Sequence, residues 1–474
     1  MSFGVGFETI GNATLILHDA RPLLATDPWI TGPAYFGSWG LSHEIPAEHM
    51  EAIRNCEYVW ISHGHPDHLS GDSLKLLANK KVLVPDHVGA RVYNDLREQG
   101  FAVRILKDRE WFELSPRVRV LCIADYNQDG VLLCDVNGRL VLNLNDASDR
   151  GWGGFVRKLT RGYRRSFLLN LANFGDADML NLWNENGARL PLPPRTPLGL
   201  TVSHRAICWG ATCVIPFSAM HRYQRADSVW ASCQAATDED YANGFQHDKV
   251  ELLPAYVRYD CDTDEPSALH PKPNDGPPID PKEFGDDWNE PLTREDKALV
   301  RQYFGAIEHL ATKMGFLRFV VGGEETIVRL NDRHFDRGLT FEVPRGSLTT
   351  ALKYEIFDDL LIGNFMRVTL HGKWGPGGLY PDFSPYVAKY ADNGRAKTLA
   401  ELREYHRKYY QRDPLGYLRH RFDADFLLPL QTATSSLLRS RLGANSTVFR
   451  TAKKAYWYLR TAGKVRPPPA AVER

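Results

Sequence analysis

Tyr58-Val59-Trp60-Ile61-Ser62 runs directly into His63-Gly64-His65-Pro66-Asp67-His68. The first four residues are aromatic or β-branched and largely apolar, the composition of a buried strand. The last six place three histidines and an aspartate in the pattern H-x-H-x-D-H at the end of that strand. Imidazoles and a carboxylate so closely spaced on one loop can converge on a pair of metal ions about 3.5–4 Å apart. The bland alternative is a loop of polar residues hydrogen-bonded to one another.

Further short apolar runs lie at 14–17, 81–84, 118–123, 131–135 and 140–144, separated by helical patterns at 46–55, 70–77 and 89–99. Such alternation predicts an α/β layered domain over residues 1–260. A proline-rich stretch at 190–197 is expected to interrupt it at the surface. Residues 261–291, dense in Pro, Asp and Gly, read as a linker or an extended wrap.

A smaller α+β unit is expected over 292–380. It comprises a helix from Thr293 to about Met314, a hairpin of 316–321 and 326–330 flanking a Gly322-Gly323-Glu324-Glu325 turn, a strand at 339–343, helical segments at 348–353 and 357–362, and a strand at 365–371. A basic helical C-terminal region, 381–474, follows. Its Arg403, Arg407, Lys408, Arg419, Arg421, Arg439, Arg441, Lys453 and Lys454 read as a solvated face or as a site for an acidic handle or partner.

Lysine plus arginine and aspartate plus glutamate each total 58, so the net charge is zero and gives no case for nucleic acid or a membrane surface as partner. The seven cysteines form no C-x-x-C pair and read as reduced thiols of a cytoplasmic protein. No signal peptide is legible, and the longest weakly polar run, 206–217, is far short of the roughly 20 residues of a spanning helix.

With its H-x-H-x-D-H loop after an apolar strand, Gly11-Asn12-Ala13-Thr14 in the first strand and Leu24-Ala25-Thr26-Asp27-Pro28-Trp29, the chain resembles the metallo-β-lactamase superfamily over about residues 4–257. The resemblance implies an αββα sandwich with two metals at the sheet edge. Asp146, after the run 140–145, matches the family's bridging aspartate, and His221 its last histidine, with His204 and His247 as weaker candidates. Asp27 is expected to fix a loop rather than bind metal. Where the family has a further histidine, between 120–123 and 131–133, this sequence has none. Asp125 is the natural occupant, with Asp129 as runner-up or a simple turn residue. The implied set is His63, His65 and Asp125 on one metal, Asp67, His68 and His221 on the other, and Asp146 between them.

Two histidines and a terminal carboxylate per ion resemble the facial triad of oxygen-activating non-heme iron. The segments Thr26-Asp27-Pro28-Trp29-Ile30-Thr31-Gly32-Pro33-Ala34 and Leu41-Ser42-His43-Glu44-Ile45-Pro46 resemble the CMP-N-acetylneuraminate hydroxylases. Those enzymes carry a Rieske module ahead of this domain, expected to be absent here because no paired Cys/His motif is present. Diiron hydroxylases of the chloramphenicol pathway, and diterpenoid hydroxylases of platensimycin or platencin biosynthesis, are similar in fold and in the carboxylate. These resemblances imply a diiron monooxygenase using O2 on an unactivated carbon of a bulky small-molecule substrate, such as a terpenoid acid or its thioester. The alternatives are a dizinc hydrolase of a lactone, phosphodiester or thioester, and a non-catalytic scaffold.

No dinucleotide fingerprint follows a strand, so electrons are expected from an external donor such as a ferredoxin and its reductase. Residues 293–373 are similar to a sterol-carrier-protein-2 type module with an apolar tunnel; an ordinary closed core is the alternative. Tyr35, Phe36, Trp39 and Trp152 are expected near the metal edge as pocket lining or as packing residues.

Overall fold

The structure, a computed structural model, describes residues 4–173, 179–193, 195–375 and 377–423. Two mixed β-sheets form the centre of the N-terminal unit, one of eight strands and one of seven. Their strands are apolar on both faces, and the alternation of side chains sorts them into two cores. In Thr14–Asp19, Leu15 and Leu17 join a cluster drawn from both sheets, with Trp60, Val120, Cys122, Cys134 and Phe167. Ile16 points the other way, into a cluster that also holds helix residues such as Ile53, Leu96, Val156 and Val202. Sheet packs on sheet, and helices cover the outer faces. The expected αββα layering is present.

Tyr58–Trp60 lies between Pro22–Thr26 and Lys81–Pro85, parallel to both. In the second sheet Arg139–Asn145, Ser166–Asn170 and Cys213–Pro216 are also mutually parallel. Parallel strands end on one side, and open α/β sheets bind ligands beyond their carboxyl ends. The residues just past those ends are Asp27, His63, Asp146 and Ser218, from both sheets.

A five-stranded sheet orders Arg367–His371, Gly338–Glu342, Phe316–Val321 and Glu324–Arg329 after Leu182–Asn184. Leu182–Asn184, inside the stretch expected to be purely N-terminal, thus pairs with Arg367–His371 of the later unit. Its core is filled by the rings of Phe304, Phe319, Phe341, Phe357 and Phe383. The hairpin forms with a tighter turn than expected: Glu324 and Glu325 already pair with Val321 and Val320, leaving only Gly322 and Gly323 at φ +58° and +79°, the two positive values that a type I′ turn requires. The helix beginning at Thr293 has both bonds of its capping box but ends at Gly305, short of Met314, and a 3-10 turn Glu308–Thr312 follows.

Residues 261–291 are a wrap, not a free linker. Glu265–Ala268 adds an edge strand to Val257–Asp260, and Pro273 and Ile279 bridge to His43 and Arg225. The fully buried Arg225 then holds Asp286 at 2.7 Å. In the C-terminal region, Leu399–Arg412 carries Arg403, Arg407 and Lys408 on an exposed face and buries Tyr405 and Tyr409. Residues 424–474, with Arg439, Arg441, Lys453 and Lys454, lie outside the described residues.

Candidate metal centre

The strand Tyr58–Trp60 delivers His63 so that its Nδ1 is 2.8 Å from Ser62 Oγ and its Nε2 2.9 Å from His65 Nδ1. His68 Nε2 lies 3.2 Å from Asp67 Oδ2 and 3.5 Å from Asp146 Oδ2, and His63 Nε2 lies 3.9 Å from that same oxygen. Donor atoms of His63, His68 and Asp146 all fall within 4.8 Å of one another. Asp67 is steered from two sides: Asn12 Nδ2 donates to Oδ2 at 2.9 Å, and the Tyr35 hydroxyl donates to Oδ1. Ser218 Oγ donates to Asp146 Oδ1 at 2.5 Å.

Asp27, as expected, fixes the loop rather than joining the donors. Its Oδ1 accepts Ser62 N–H at 2.7 Å and its Oδ2 stands 3.2 Å from His68 Nδ1. A carboxylate on the far nitrogen of a histidine sets its tautomer and aims the near nitrogen.

His221 is held differently. Its strand pairs with Trp39–Leu41, and its ring lies flat on Trp39, with centroids 3.5 Å apart. Both ring nitrogens are buried with no hydrogen-bond partner among the described residues. Burial pushes this imidazole down to about 4, although Asp67 and Asp146 pull the other way. A buried imidazole with two orphaned nitrogens, near two carboxylates, suits a metal ion.

Asp125 sits on the hairpin loop between Val118–Ala124 and Gly130–Val136 and is not grouped with His63, His68 and Asp146. Its Oδ1 accepts Asn127 N–H at 2.6 Å and Asp129 N–H at 3.2 Å, while its Oδ2 is buried without a partner among the described residues. Burial and then Asp129 push the Asp125 carboxyl up to about 7. Asp129, also raised by burial, feels Asp146, and its Oδ2 accepts from Asn127 Nδ2 at 3.0 Å. The loop is clamped by the C-terminal helix: Gln128 Nε2 donates to Tyr405 and Tyr409, and Tyr405 donates to Tyr126 O at 2.7 Å.

His204 is buried against Gln246, and His247 is exposed beside Phe245; neither joins the cluster. Of the aromatics singled out, Tyr35 and Trp39 touch Asp67 and His221, Phe36 packs on Phe365, and Trp152 stacks on Trp209 in the core.

Two site residues had no legible signal in the sequence. Asp358 Oδ2 lies 2.9 Å from His65 Nε2, and donor atoms of His65, Asp358 and Asp359 fall within 4.8 Å of one another. They read as acidic residues opening a helix. Burial opposes the charge on each partner, yet the contact holds His65 up at about 10 and keeps Asp358 below the usual carboxylate range.

Two packed sheets covered by helices, with a histidine–aspartate cluster past the strand ends that could hold a metal ion, make up the arrangement that the resemblance to the metallo-β-lactamase superfamily implied. In sequence the chain is similar to proteins named cytidine monophosphate-N-acetylneuraminic acid hydroxylase. The chain is 31% identical over 140 residues to the cytidine monophosphate-N-acetylneuraminic acid hydroxylase of Asterias rubens, covering 28% of this chain and 21% of that one. It is 29% identical over 154 residues to the Sus scrofa enzyme of that name, covering 31% and 35%. The matched stretch thus spans about a fifth to a third of these relatives' length. CmlA, a diiron β-hydroxylase from Streptomyces venezuelae, aligns structurally with a TM-score of 0.35 at 14% identity, covering 55% of each chain. No protein-family model matches the chain. Among the described residues no helix is long and apolar enough to cross a membrane.

Proposed function

We propose that the protein is an O2-dependent non-heme diiron monooxygenase whose metals are held by His63, His65, Asp67, His68, Asp125, Asp146 and His221. The observation that carries this reading is the carboxylate of Asp125, with its buried, unpartnered Oδ2, on the hairpin loop where a hydrolase of this fold has a histidine. Its support is the similarity to hydroxylases. Bound iron supplies oxygen activation, and anionic oxygen donors favour its higher oxidation states. The chain's own residues hold and aim: Asp27 behind His68, Asn12 and Tyr35 on Asp67, Trp39 under His221.

The substrate in this reading is a bulky apolar biosynthetic intermediate with an anionic handle, such as a terpenoid acid or its thioester. Tyr35 and Trp39 beside the donors support an apolar body. Arg150 and the buried Lys389 support the handle, since both cations act on Asp125 and no ion pair is formed by either among the described residues. Lys389 Nζ instead donates to the Tyr380 hydroxyl at 3.0 Å. A ferredoxin and its reductase would bring the electrons.

The test is metal analysis and Mössbauer spectroscopy of the purified protein, with O2 uptake after reduction. Close to two irons per chain and reductant-dependent uptake are expected. Zinc alone, with no uptake after iron reconstitution, would overturn the proposal in favour of a dizinc hydrolase. Thermal shifts with apolar acids or their thioesters, and none with sugar nucleotides, are expected for the substrate class.

A further inference from the structure

His65 uses both of its ring nitrogens. Nδ1 stands 2.9 Å from His63 Nε2, and Nε2 stands 2.9 Å from Asp358 Oδ2. An imidazole that gives one nitrogen to a metal carries its proton on the other, and what accepts that proton decides which nitrogen is which. Because Nδ1 faces the histidine cluster, Nε2 is the donor to Asp358.

Asp358 comes from the second unit, 293 positions along the chain, at the start of Asp358–Ile362. That segment is anchored independently of His65. Before it, Arg91 donates to the carbonyl oxygens of Tyr354 and Glu355 at 2.6 and 2.7 Å. After it, Ser38 Oγ donates to Gly363 O at 2.6 Å, and Asn364 Oδ1 accepts Leu180 N–H at 2.7 Å. The carboxylate is therefore placed by the interface between the units and not merely drawn in by the imidazole. With side-chain exposures of 23% for His65 and 15% for Asp358, water competes poorly for the bond.

We infer that Asp358 is a positioning residue of the metal centre: its carboxylate accepts the Nε2–H of His65, fixes that ring's tautomer and plane, and makes the second unit a structural part of the site. The inference rests on the reading of His65 as a ligand through Nδ1. It predicts that the N-terminal unit alone holds an incompletely ordered centre, although every ligand belongs to it.

The experiment uses the full-length chain loaded with zinc, which is diamagnetic and needs no turnover. Chelator competition gives metal affinity, and NMR of labelled histidine reports the Nε2 proton of His65. In the parent protein that proton should be low-field and slow to exchange. Asp358→Ala should abolish the signal and weaken metal binding about 10–100-fold, the range for loss of such a partner. Asp358→Glu should recover most of both. Should Asp358→Ala fail to fold, Asp358→Asn, equal in shape but uncharged, must still weaken binding. Parental affinity in Asp358→Asn or Asp358→Ala, or absence of the Nε2 proton in the parent, overturns the inference. His65→Ala separates the two failures. If it loses metal while the Asp358 variants do not, only the role of Asp358 falls. If it too retains metal, the ligand reading falls as well.

Discussion

The imidazole of His221 lies on the indole of Trp39 with ring planes within 3° of parallel. Nothing else orients that ring by hydrogen bonding among the described residues, so the stack determines where its nitrogens point. Trp39→Phe should keep two metals per chain. Trp39→Ala should release one of them and, because the indole is buried, cost about 3–5 kcal/mol of stability. Metal stoichiometry at fixed free metal, paired with urea melts, separates the two effects.

Asp125 and Asp129 share one loop but are differently engaged. Asp129 has a partner for its Oδ2 in Asn127, whereas Asp125 Oδ2 has none among the described residues. Asp125→Asn should lower metal content, and Asp129→Asn should leave it nearly intact. Asp125→His should retain two metals, since imidazole suits iron and zinc alike, while hydroxylation falls by orders of magnitude. The reverse pattern in metal analysis would move the ligand to Asp129.

The wrap over 261–291 is tied down by a buried ion pair, Arg225 with Asp286, whose carboxylate also accepts from Ser347 N and Oγ. Arg225→Met leaves that carboxylate buried without its cation. A loss of about 3–5 kcal/mol in denaturant melts is expected. An unchanged midpoint would show the wrap to be ornamental.

Glu8 should govern the acid limb of stability. Burial opposes its ionisation, but the imidazoles of His18 and His49, with Nε2 atoms 2.9 and 3.4 Å from its oxygens, outweigh burial and hold its carboxyl well below the ordinary range. The folded-state value lies below the unfolded one of about 4.3. Its contribution is therefore fully present above about pH 4.3 and disappears as pH falls further. Glu8→Gln should lower the melting temperature at pH 7 and flatten its decline between about pH 4.3 and pH 2 in thermal scans.

The sequence by itself determined what local chemistry determines. Strands at 14–17, 81–84 and 118–123 were legible because each is a short, predominantly apolar run, and the His63–His68 cluster because one strand and one loop hold it. The hairpin at Gly322-Gly323 and the cap at Thr293 were legible for the same reason. Tertiary structure alone decided what depends on distance through space. It set His221 against Trp39, joined Leu182–Asn184 to a sheet built almost two hundred residues later, and carried Asp358 to His65. Asp358 and Asp359 look like any acidic pair opening a helix, since nothing in their neighbours records that an imidazole will arrive from the other unit. Burial decides whether such a carboxyl is a solvated charge or part of a metal centre, and burial is a property of the folded chain.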